Sequence, residues 1–429
     1  MEHFFKFKEN GTTLRTEIVA GITTFMTMAY IIFVNPGILS NTGMDFNAVM
    51  TATVLAAGLS SIIMGLFTNY PFALASGMGL NAFFAFVVAP IAGWRAALAA
   101  VFISGVFFFL LSLFGFIEAI DRAIPVSLKR AISTGIGFFI TFIGLQNAGI
   151  IVADEATQIT LGNLTDPGVL LSLVGLAFIA ILMARKVKGA ILIGILITTV
   201  VGMFMGIADT PASIRDIVGT PASLSPIFFQ LDFVAAIKEL GFMLIFAFTF
   251  VDLFDTMGTL MGTGARAGFL DEKGHLPRIK NAMLADAFAT MLGAVLGTST
   301  VTTYVESTAG VSEGGRTGLT AIVTGVLFLL SLFLAPLAGL VPSQATAPAL
   351  IIVGVLMAGS VTAIDFEDFT EAFPAFLTIA FMPFAYSIAD GIAIGFLAYP
   401  IVKLVAGREK EVHWLVYILA FISLIHFFL

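Results

Sequence analysis

The sequence predicts an all-α polytopic membrane protein of about 14 spans, arranged as a 7+7 inverted repeat. Three observations lead to this fold class. Hydrophobic residues make up 59% of the 429 residues, and charged residues only 11%. Long apolar runs recur from Thr16 almost to Leu429. Two segments at matching positions of the two halves are rich in small and polar residues and are poor helices, so we expect spans 3 and 10 to be interrupted by short β-strands.

The composition excludes a soluble fold, because a soluble helix keeps one polar face. Backbone that contacts lipid must be helical or closed into a barrel, since lipid offers no hydrogen bonds. The chain has no cysteine, which excludes disulfides and thiolate metal sites, and its four histidines are too scattered for a metal site. We therefore expect no metal, no cofactor and no nucleic-acid partner.

Glycine, proline and charged residues divide the apolar sequence into spans. The first, 16–39, is too long for a signal peptide and is predicted to be a retained helix. The last apolar stretch, 413–429, either crosses the membrane or lies along its surface. The predicted spans are 16–39, 47–67, 72–90, 96–117, 128–152, 168–184, 189–207, 233–261, 279–297, 300–313, 318–340, 347–361, 373–387 and 389–405.

The positive charges predict the orientation. If the N-terminus is cytoplasmic, every Lys and Arg except Arg95, Arg215 and Lys238 falls on the cytoplasmic side of the predicted spans. Cytoplasmic loops of membrane proteins carry an excess of positive charge. The sequence therefore predicts a multi-pass protein of the cytoplasmic membrane with its N-terminus inside.

The two halves of the chain share a pattern. Spans 1 and 8 are rich in threonine, and the glycine-bounded runs 189–194 and 391–395 lie near the end of each half. Because an odd number of spans separates the matching features, the two repeats must cross the membrane in opposite directions. Interrupted helices at matching positions of inverted repeats indicate a transport site. The alternative is that their glycines only allow close helix packing.

Acidic residues lie deep in the predicted spans at Asp252, Asp255, Asp286 and Glu306. Ionisable groups at such depth are costly and usually functional. Asp252 and Asp255 share one face of a helix, and their repulsion favours a proton on one of them, as proton coupling requires. No Lys or Arg lies deep in a span to pair with them. The alternative is that each carboxyl is neutral or is capped by hydroxyl or backbone groups.

The interrupted spans supply the rest of the predicted site. Residues 300–305 are rich in Thr, Val and Tyr, which favour an extended strand. Such backbone is tolerated at membrane depth where it lines a cavity. We expect 76–82 and 300–306 each to be non-helical for several residues at mid-membrane and to lie side by side, with two short helices beginning at the centre. Candidate ligand contacts in these segments are Asn81, Phe83, Thr303 and Tyr304.

Several stretches together carry a resemblance to a known family. They are 21–30 (GITTFMTMAY) with Asn35 and Pro36, 77–82 (GMGLNA), 251–256 (VDLFDT) and 302–307 (TTYVES). With this combination the chain resembles the guanine/hypoxanthine permeases, the AzgA-like branch of the nucleobase–cation symporter (xanthine/uracil permease) family. The resemblance implies a core domain, formed by 1–125 and 231–342, and a gate domain, formed by 126–230 and 343–429.

The resemblance also implies proton-coupled uptake of purine nucleobases. Glu306 and Asp252 would contact the purine directly, Asn81 would add a polar contact, and Asp255 would act in proton coupling or in support of the site. From its depth in span 9, we expect Asp286 to be a further candidate for proton coupling. Val305 stands where the broader family often has glycine. A carboxylate suits a neutral base edged by N–H donors. The implied partners are a purine nucleobase, a proton and the lipid bilayer, with a homodimer as the candidate assembly.

Other functions remain open at this point. An anion carrier of the same architecture, for sulfate or bicarbonate, would require a cation where this chain has Glu306. An intramembrane aspartyl protease would require two aspartates on different helices, whereas Asp252 and Asp255 lie on one. We therefore predict that the chain is not an enzyme. A channel is a third alternative, disfavoured by carboxylates in an occluded site.

Overall fold

The computed structural model of the protein describes residues 2–116, 123–271 and 275–427. Within them, ten helices are long and apolar enough to cross a membrane, and four further apolar helices are shorter. The predicted all-α polytopic fold class is confirmed. Arg122 and Lys273, which the charge pattern places on the cytoplasmic side, lie outside the described residues, as do the ends of the predicted spans 96–117 and 413–429.

The first half of the chain contains helices α1 to α9 and three short strands. Side-chain oxygens of Thr13, Asp45 and Asp166 accept hydrogen bonds from the first free backbone amides of α2, α4 and α8 and so fix where these helices begin. The elements are α1 (Glu2–Phe5), α2 (Leu14–Met28), α3 (Ile31–Leu39), α4 (Phe46–Thr68), β1 (Leu74–Ser76), α5 (Met78–Ala92), α6 (Trp94–Phe114), α7 (Val126–Asn147), β2 (Ile151–Asp154), β3 (Gln158–Leu161), α8 (Pro167–Ala184) and α9 (Ala190–Phe204).

The second half has one strand and eight helices in the described residues, apart from short helical turns. Thr317, Asp368 and Ser387 cap the starts of α13, α15 and α16. The elements are α10 (Gly241–Ala267), α11 (Ile279–Leu296), β4 (Val301–Thr303), α12 (Ser307–Ser312), α13 (Gly318–Ser331), α14 (Ser343–Ala358), α15 (Phe369–Phe384), α16 (Ile388–Val405) and α17 (Trp414–His426).

The two halves meet at a pair of short strands. Each half runs through a crossing helix, a second helix, a strand with a short helix, and four more helices. β1 pairs antiparallel with β4, with Leu74 opposite Thr303 and Ser76 opposite Val301. The prediction of an inverted repeat with spans 3 and 10 interrupted by strands is confirmed.

The first interruption lies earlier in the chain than predicted, whereas the second, at 300–306, is non-helical as predicted. The segment 76–82 is not extended throughout, because β1 ends at Ser76 and α5 begins at Met78. Gly79 is helical, and its missing side chain serves packing: a Cβ there would lie 2.4 Å from a methyl of Ile136. In the other half, only residues 301–303 form a strand, and α12 begins at Ser307.

Two of the predicted spans also break or end differently in the structure, and the helix in the stretch 413–429 is short. The span 16–39 is divided into α2 and α3, since the amides of Ile32 and Phe33 bond three residues back and tighten the helix at Tyr30. The span 128–152 ends at Asn147 and is followed by the unpredicted β2–β3 hairpin. The terminal α17 packs against α16. At 1.5 Å per residue it is about 20 Å long, shorter than the roughly 30 Å hydrocarbon core.

Helices from the two halves pack through paired glycines. A Cβ on Gly318 of α13 would lie 1.9 Å from the carbonyl oxygen of Gly65 on α4. In the same way, a Cβ on Gly354 of α14 would lie 2.5 Å from the carbonyl oxygen of Gly137 on α7. Small residues let helix backbones approach closely in a membrane, where packing replaces the hydrophobic effect. Here the glycines join one half of the chain to the other.

Gly318→Ala should therefore destabilise the protein. The added methyl meets backbone, which cannot rotate away, and overpacking of this kind costs about 1–3 kcal/mol. We expect the purified variant to melt several degrees below the unchanged protein. Gly339→Ala is the matched control, because no atom lies within 4 Å of a Cβ at Gly339. Equal melting temperatures for both variants would contradict the close packing of α4 and α13.

The structure buries a lysine that the sequence did not predict to be deep. Lys403 is fully buried in the last turn of α16, with its Nζ 2.7 Å from Glu371 and 2.9 Å from Glu411. The Glu371 carboxylate also accepts hydrogen bonds from the hydroxyls of Tyr399 and Ser127. A helix C-terminus favours a cation, and pairing makes its burial tolerable. The cluster ties the starts of α7 and α15 to the end of α16.

An exposed extension of this cluster remains ionised at physiological pH. Arg408 lies 2.6 Å from a carboxylate oxygen of Asp368 and 2.7 Å from one of Glu411. The hydrogen bonds from Arg408, and then that from Lys403, lower the pKa of Glu411 to about 2. A lowered pKa means that this stabilisation is lost only as the pH falls towards that value. These ion pairs are therefore not a proton switch near neutral pH.

Candidate functional site

The paired strands satisfy their backbone groups and those next to them. The amide of Gly77 donates to the carbonyl of Thr300 at 2.9 Å, and the amide of Tyr304 donates to the carbonyl of Ala73 at 3.0 Å. The Tyr304 hydroxyl donates to the carbonyl of Ser76. Buried backbone without such partners would be costly in a membrane. Because these groups are paired, non-helical backbone can lie at the centre of the bundle.

A cavity of about 450 Å³ lies beside the strands. Its wall is formed by the segments that join β1 to α5 and β4 to α12, by α10, and by faces of α7 and α14. This volume falls within the roughly 300–1,000 Å³ of small-molecule sites. Val126 and Arg130 at the start of α7, both exposed, and Ser360 after α14 line one end of the cavity, its mouth. These residues lie at the end of the bundle where α2 begins, so the cavity opens towards that end.

Glu306 lines the cavity between β4 and α12. Its Oε1 accepts a hydrogen bond of 2.8 Å from the hydroxyl of Tyr30, at the tightened turn between α2 and α3. Its Oε2 takes no hydrogen bond from another side chain in the described part of the protein. One carboxylate oxygen is thus held in place while the other can accept a ligand N–H. Such charge-assisted bonds are the stronger kind.

Asp255 is the second acidic residue that lines the cavity. It lies on α10, and no hydrogen bond to it is found among the described residues. Its charge and that of Glu306 repel each other. Two like charges in a site largely withdrawn from water are costly. A proton, or an N–H donor from a ligand, would relieve that repulsion.

Asp252 and Asp286 lie behind the cavity wall and do not line it. The hydroxyl of Thr290 is 2.9 Å from Oδ2 of Asp252. Asp286 accepts hydrogen bonds from the hydroxyls of Thr256, at 2.8 Å, and Thr303, at 2.7 Å. Both carboxyls are fully buried. Asp286 therefore joins α10 and α11 to β4, the strand that leads to Glu306.

The remaining predicted contacts divide in the same way. Thr303 and Tyr304 line the cavity. Asn81 is fully buried in α5, away from the lining, and neither amide atom has a hydrogen-bond partner in the described structure. Phe83 is also buried away from the lining, with its ring 4.8 Å from that of Phe248. The structure thus brings Glu306, Asp255, Thr303 and Tyr304 together and leaves Asp252, Asp286, Asn81 and Phe83 outside the cavity.

Tyr30, Lys129 and Arg130 are among the lining residues that sequence reasoning missed. Tyr30 was part of a recognised stretch, but its partner Glu306 lies 276 residues further along the chain. Lys129 and Arg130 belong to the cavity wall on α7, and Lys129 also lies 6.0 Å from the centre of the Phe254 ring. Because both lie at the start of a predicted span, the sequence indicates only that they are near the cytoplasmic side. No signal in the sequence shows that they face a cavity.

Residues 15–394 match the xanthine/uracil permease family. The chain belongs to this permease family. A permease from Methanocaldococcus jannaschii is 53% identical over 100% of this chain and 98% of its own length. The guanine/hypoxanthine permease PbuG of Bacillus subtilis is 48% identical over 100% of this chain and 99% of its own. The adenine permease AdeP of Escherichia coli is 47% identical over 99% of this chain and 95% of its own.

Solved structures share the fold of this permease. The transmembrane domain of the cyanobacterial bicarbonate transporter BicA superposes with a TM-score of 0.66. It is 15% identical, and the match covers 88% of this chain and 97% of that domain. At this identity the likeness shows the inverted-repeat fold alone. Family and fold together make the chain a multi-pass membrane transport protein, which confirms that it does not belong to an enzyme family.

Proposed function

We propose that this permease takes up purine nucleobases of the adenine and guanine/hypoxanthine type, together with protons, by alternating access. The observation that carries the proposal is Glu306, which Tyr30 holds at one oxygen while the other remains available in the cavity. A neutral purine offers ring and exocyclic N–H donors to such an oxygen. The named relatives, an adenine permease and a guanine/hypoxanthine permease, support this substrate class.

We assign the roles of the site residues from their positions. Glu306 binds the base, and Thr303 and Tyr304 shape the wall next to it. Asp255 carries the proton, because it lines the same cavity and its charge repels that of Glu306. Asp252 and Asp286 support the site through their threonine hydrogen bonds rather than by direct contact.

The domain division and orientation complete the proposal. The core is formed by 1–125 and 231–342, and the gate by 126–230 and 343–429. The gate helices α7 and α14 form one wall of the cavity. The core carries the paired strands β1 and β4 and the carboxyls of Asp252, Asp255, Asp286 and Glu306. With the N-terminus in the cytoplasm, as the positive charges favour, the cavity opens inwards. The structure then corresponds to the inward-open state in the cytoplasmic membrane.

Anion transport is the competing function, since the shared fold includes a bicarbonate transporter. Lys129 and Arg130 line the cavity, but the groups beside the strands are the carboxylates of Glu306 and Asp255. These would repel an anion. Proteoliposomes should therefore accumulate radiolabelled adenine or hypoxanthine unchanged, and should not accumulate labelled sulfate or bicarbonate. Uptake of an anion without uptake of either purine would overturn the proposal.

Tyr30→Phe should weaken purine binding without unfolding the protein. The change removes the hydroxyl that orients Glu306, and a hydrogen bond to a charged group is worth about 1.5–3 kcal/mol. Part of this free energy is recovered because the carboxylate can turn towards the ligand, so we expect Kd to increase roughly three- to tenfold. Tyr70→Phe is the matched control, because the Tyr70 hydroxyl bonds the carbonyl of Pro277, away from the cavity. Equal Kd values for the two variants would remove Tyr30 from the site.

A further inference from the structure

A second cavity, of about 370 Å³, lies at the opposite end of the bundle from the mouth of the first. We call it the outer crevice. It is bounded by the end of α3 and the start of α4 in the core, and by the end of α7 and the start of α14 in the gate. Both cavities thus lie along the same interface between the proposed core and gate. With the proposed orientation, the outer crevice faces the outside of the cell.

Only a thin layer separates the two cavities. Tyr30 and Val353 line the cavity beside the strands, the inner cavity, while Val34 and Leu350 line the outer crevice. The lining residues are therefore about one helical turn apart on each helix, a distance of about 5.4 Å. Ile31, between them on α3, is fully buried. A small movement of α14 against α3 would join the cavities.

Gly37 keeps the outer crevice open between α3 and α14. An added Cβ at Gly37 would meet only the hydroxyl of Thr346, at 3.9 Å, which is ordinary contact. At Gly318, by contrast, an added Cβ would clash with backbone. Packing therefore does not require a glycine at position 37. Its effect is to leave space in the crevice.

The lining of the outer crevice suits an uncharged, hydrogen-bonding ligand. No charged residue lines it in the described part of the chain. Asn41 donates its amide hydrogens to the carbonyls of Gly37 and Ile38, which leaves its oxygen as an acceptor. The Asn147 amide has no hydrogen-bond partner among the described residues. The other polar lining residues are Ser40, Ser343 and Thr346.

We propose that the outer crevice is a second binding site for the same neutral nucleobase, occupied before the base passes to Glu306. The inference rests on the proposed purine transport and adds a site that contains no carboxylate. A base held there accepts from and donates to uncharged amides and hydroxyls, with Phe33 and Phe46 supplying apolar surface. Binding at the crevice is therefore independent of Glu306 and of its proton state.

The chain lacks cysteine, so a single introduced thiol can be followed without background. Thr346→Cys in right-side-out membrane vesicles should react with a membrane-impermeant maleimide. Hypoxanthine or adenine at about ten times its Kd for the crevice should slow the reaction about tenfold. Thr210→Cys is the matched control: it lies on an exposed loop at the same end, so it should react with no protection by the base. The decisive comparison repeats the labelling of Thr346→Cys together with Glu306→Gln.

Protection that persists with Glu306→Gln establishes a separate outer site. Protection that disappears with Glu306→Gln shows that the base acts from the inner cavity through a conformational change, and overturns the inference. Labelled purine uptake, measured in the same vesicles, separates this inference from the proposed function. Uptake by Thr346→Cys without protection overturns the outer site and leaves purine transport standing. Absence of purine uptake by the unchanged protein, together with absence of protection in Thr346→Cys, overturns both.

Discussion

Glu306→Gln should lower purine affinity at least roughly tenfold while the protein stays folded in the membrane. The carboxylate offers only acceptors, whereas the amide replaces one of them with a donor of the same shape. A charge-assisted hydrogen bond is worth about 1.5–3 kcal/mol, and each 1.4 kcal/mol is a factor of ten in Kd. The substitution also changes the partner of Tyr30, whose hydroxyl now donates to Oε1 of Glu306.

The measurement is equilibrium binding of labelled adenine and hypoxanthine to purified protein, with the melting temperature recorded in parallel. Glu9→Gln is the matched control, because Glu9 is exposed and pairs with Lys6 at the surface, away from the cavity. It should bind as the unchanged protein does. An unaltered Kd for Glu306→Gln would remove this residue from the site and leave Asp255 as the carboxylate that contacts the base.

Asp255→Asn should separate purine movement from the proton gradient. The amide cannot take up and release a proton, so it imitates a carboxyl that is permanently protonated. Exchange of labelled hypoxanthine for unlabelled base across the membrane should continue. If one proton accompanies each base, a gradient of one pH unit sustains about tenfold accumulation in the unchanged protein, since one unit is worth about 1.4 kcal/mol. For Asp255→Asn the ratio of inside to outside concentration should stay at about one.

Counterflow and pH-driven uptake in proteoliposomes measure these two properties separately. Asp166→Asn is the matched control, because asparagine caps a helix as well as the aspartate that now caps α8. It should both exchange and accumulate the base. Accumulation by Asp255→Asn would show that the proton is carried elsewhere, with Glu306 or Asp286 the next residues to change.

The sequence predicted the repeats and the strand at 301–303 because both depend on local composition. It could not predict which side of α10 faces the cavity. Asp252 and Asp255 are adjacent on a helical wheel, yet one bonds Thr290 behind the wall and the other lines the cavity. That outcome depends on where α11 and β4 pack. The contact between Tyr30 and Glu306 likewise joins residues 276 positions apart, so no local pattern in the sequence predicts it.

The glycines illustrate the same limit of prediction from sequence. The small residues of 76–82 indicate a break in a helix, but a glycine can serve conformational freedom, close approach or open space. Gly79 makes room for Ile136, whereas Gly37 leaves a crevice empty. One letter in the sequence covers all three cases. Only the neighbouring atoms distinguish them.

The pairing of β1 with β4 also constrains how the protein is made. When the ribosome has completed only the first half, β1 has no partner strand, and the groove at Gly65 on α4 lacks the helix that fills it. Backbone groups without partners in hydrocarbon cost several kcal/mol each. The early helices can insert one by one, but the centre of the bundle must remain unformed until residues 301–318 enter the bilayer. Membrane insertion of this chain therefore precedes its folding. Until residues 301–318 are made, insertion factors or lipids must shield the unpaired backbone of β1.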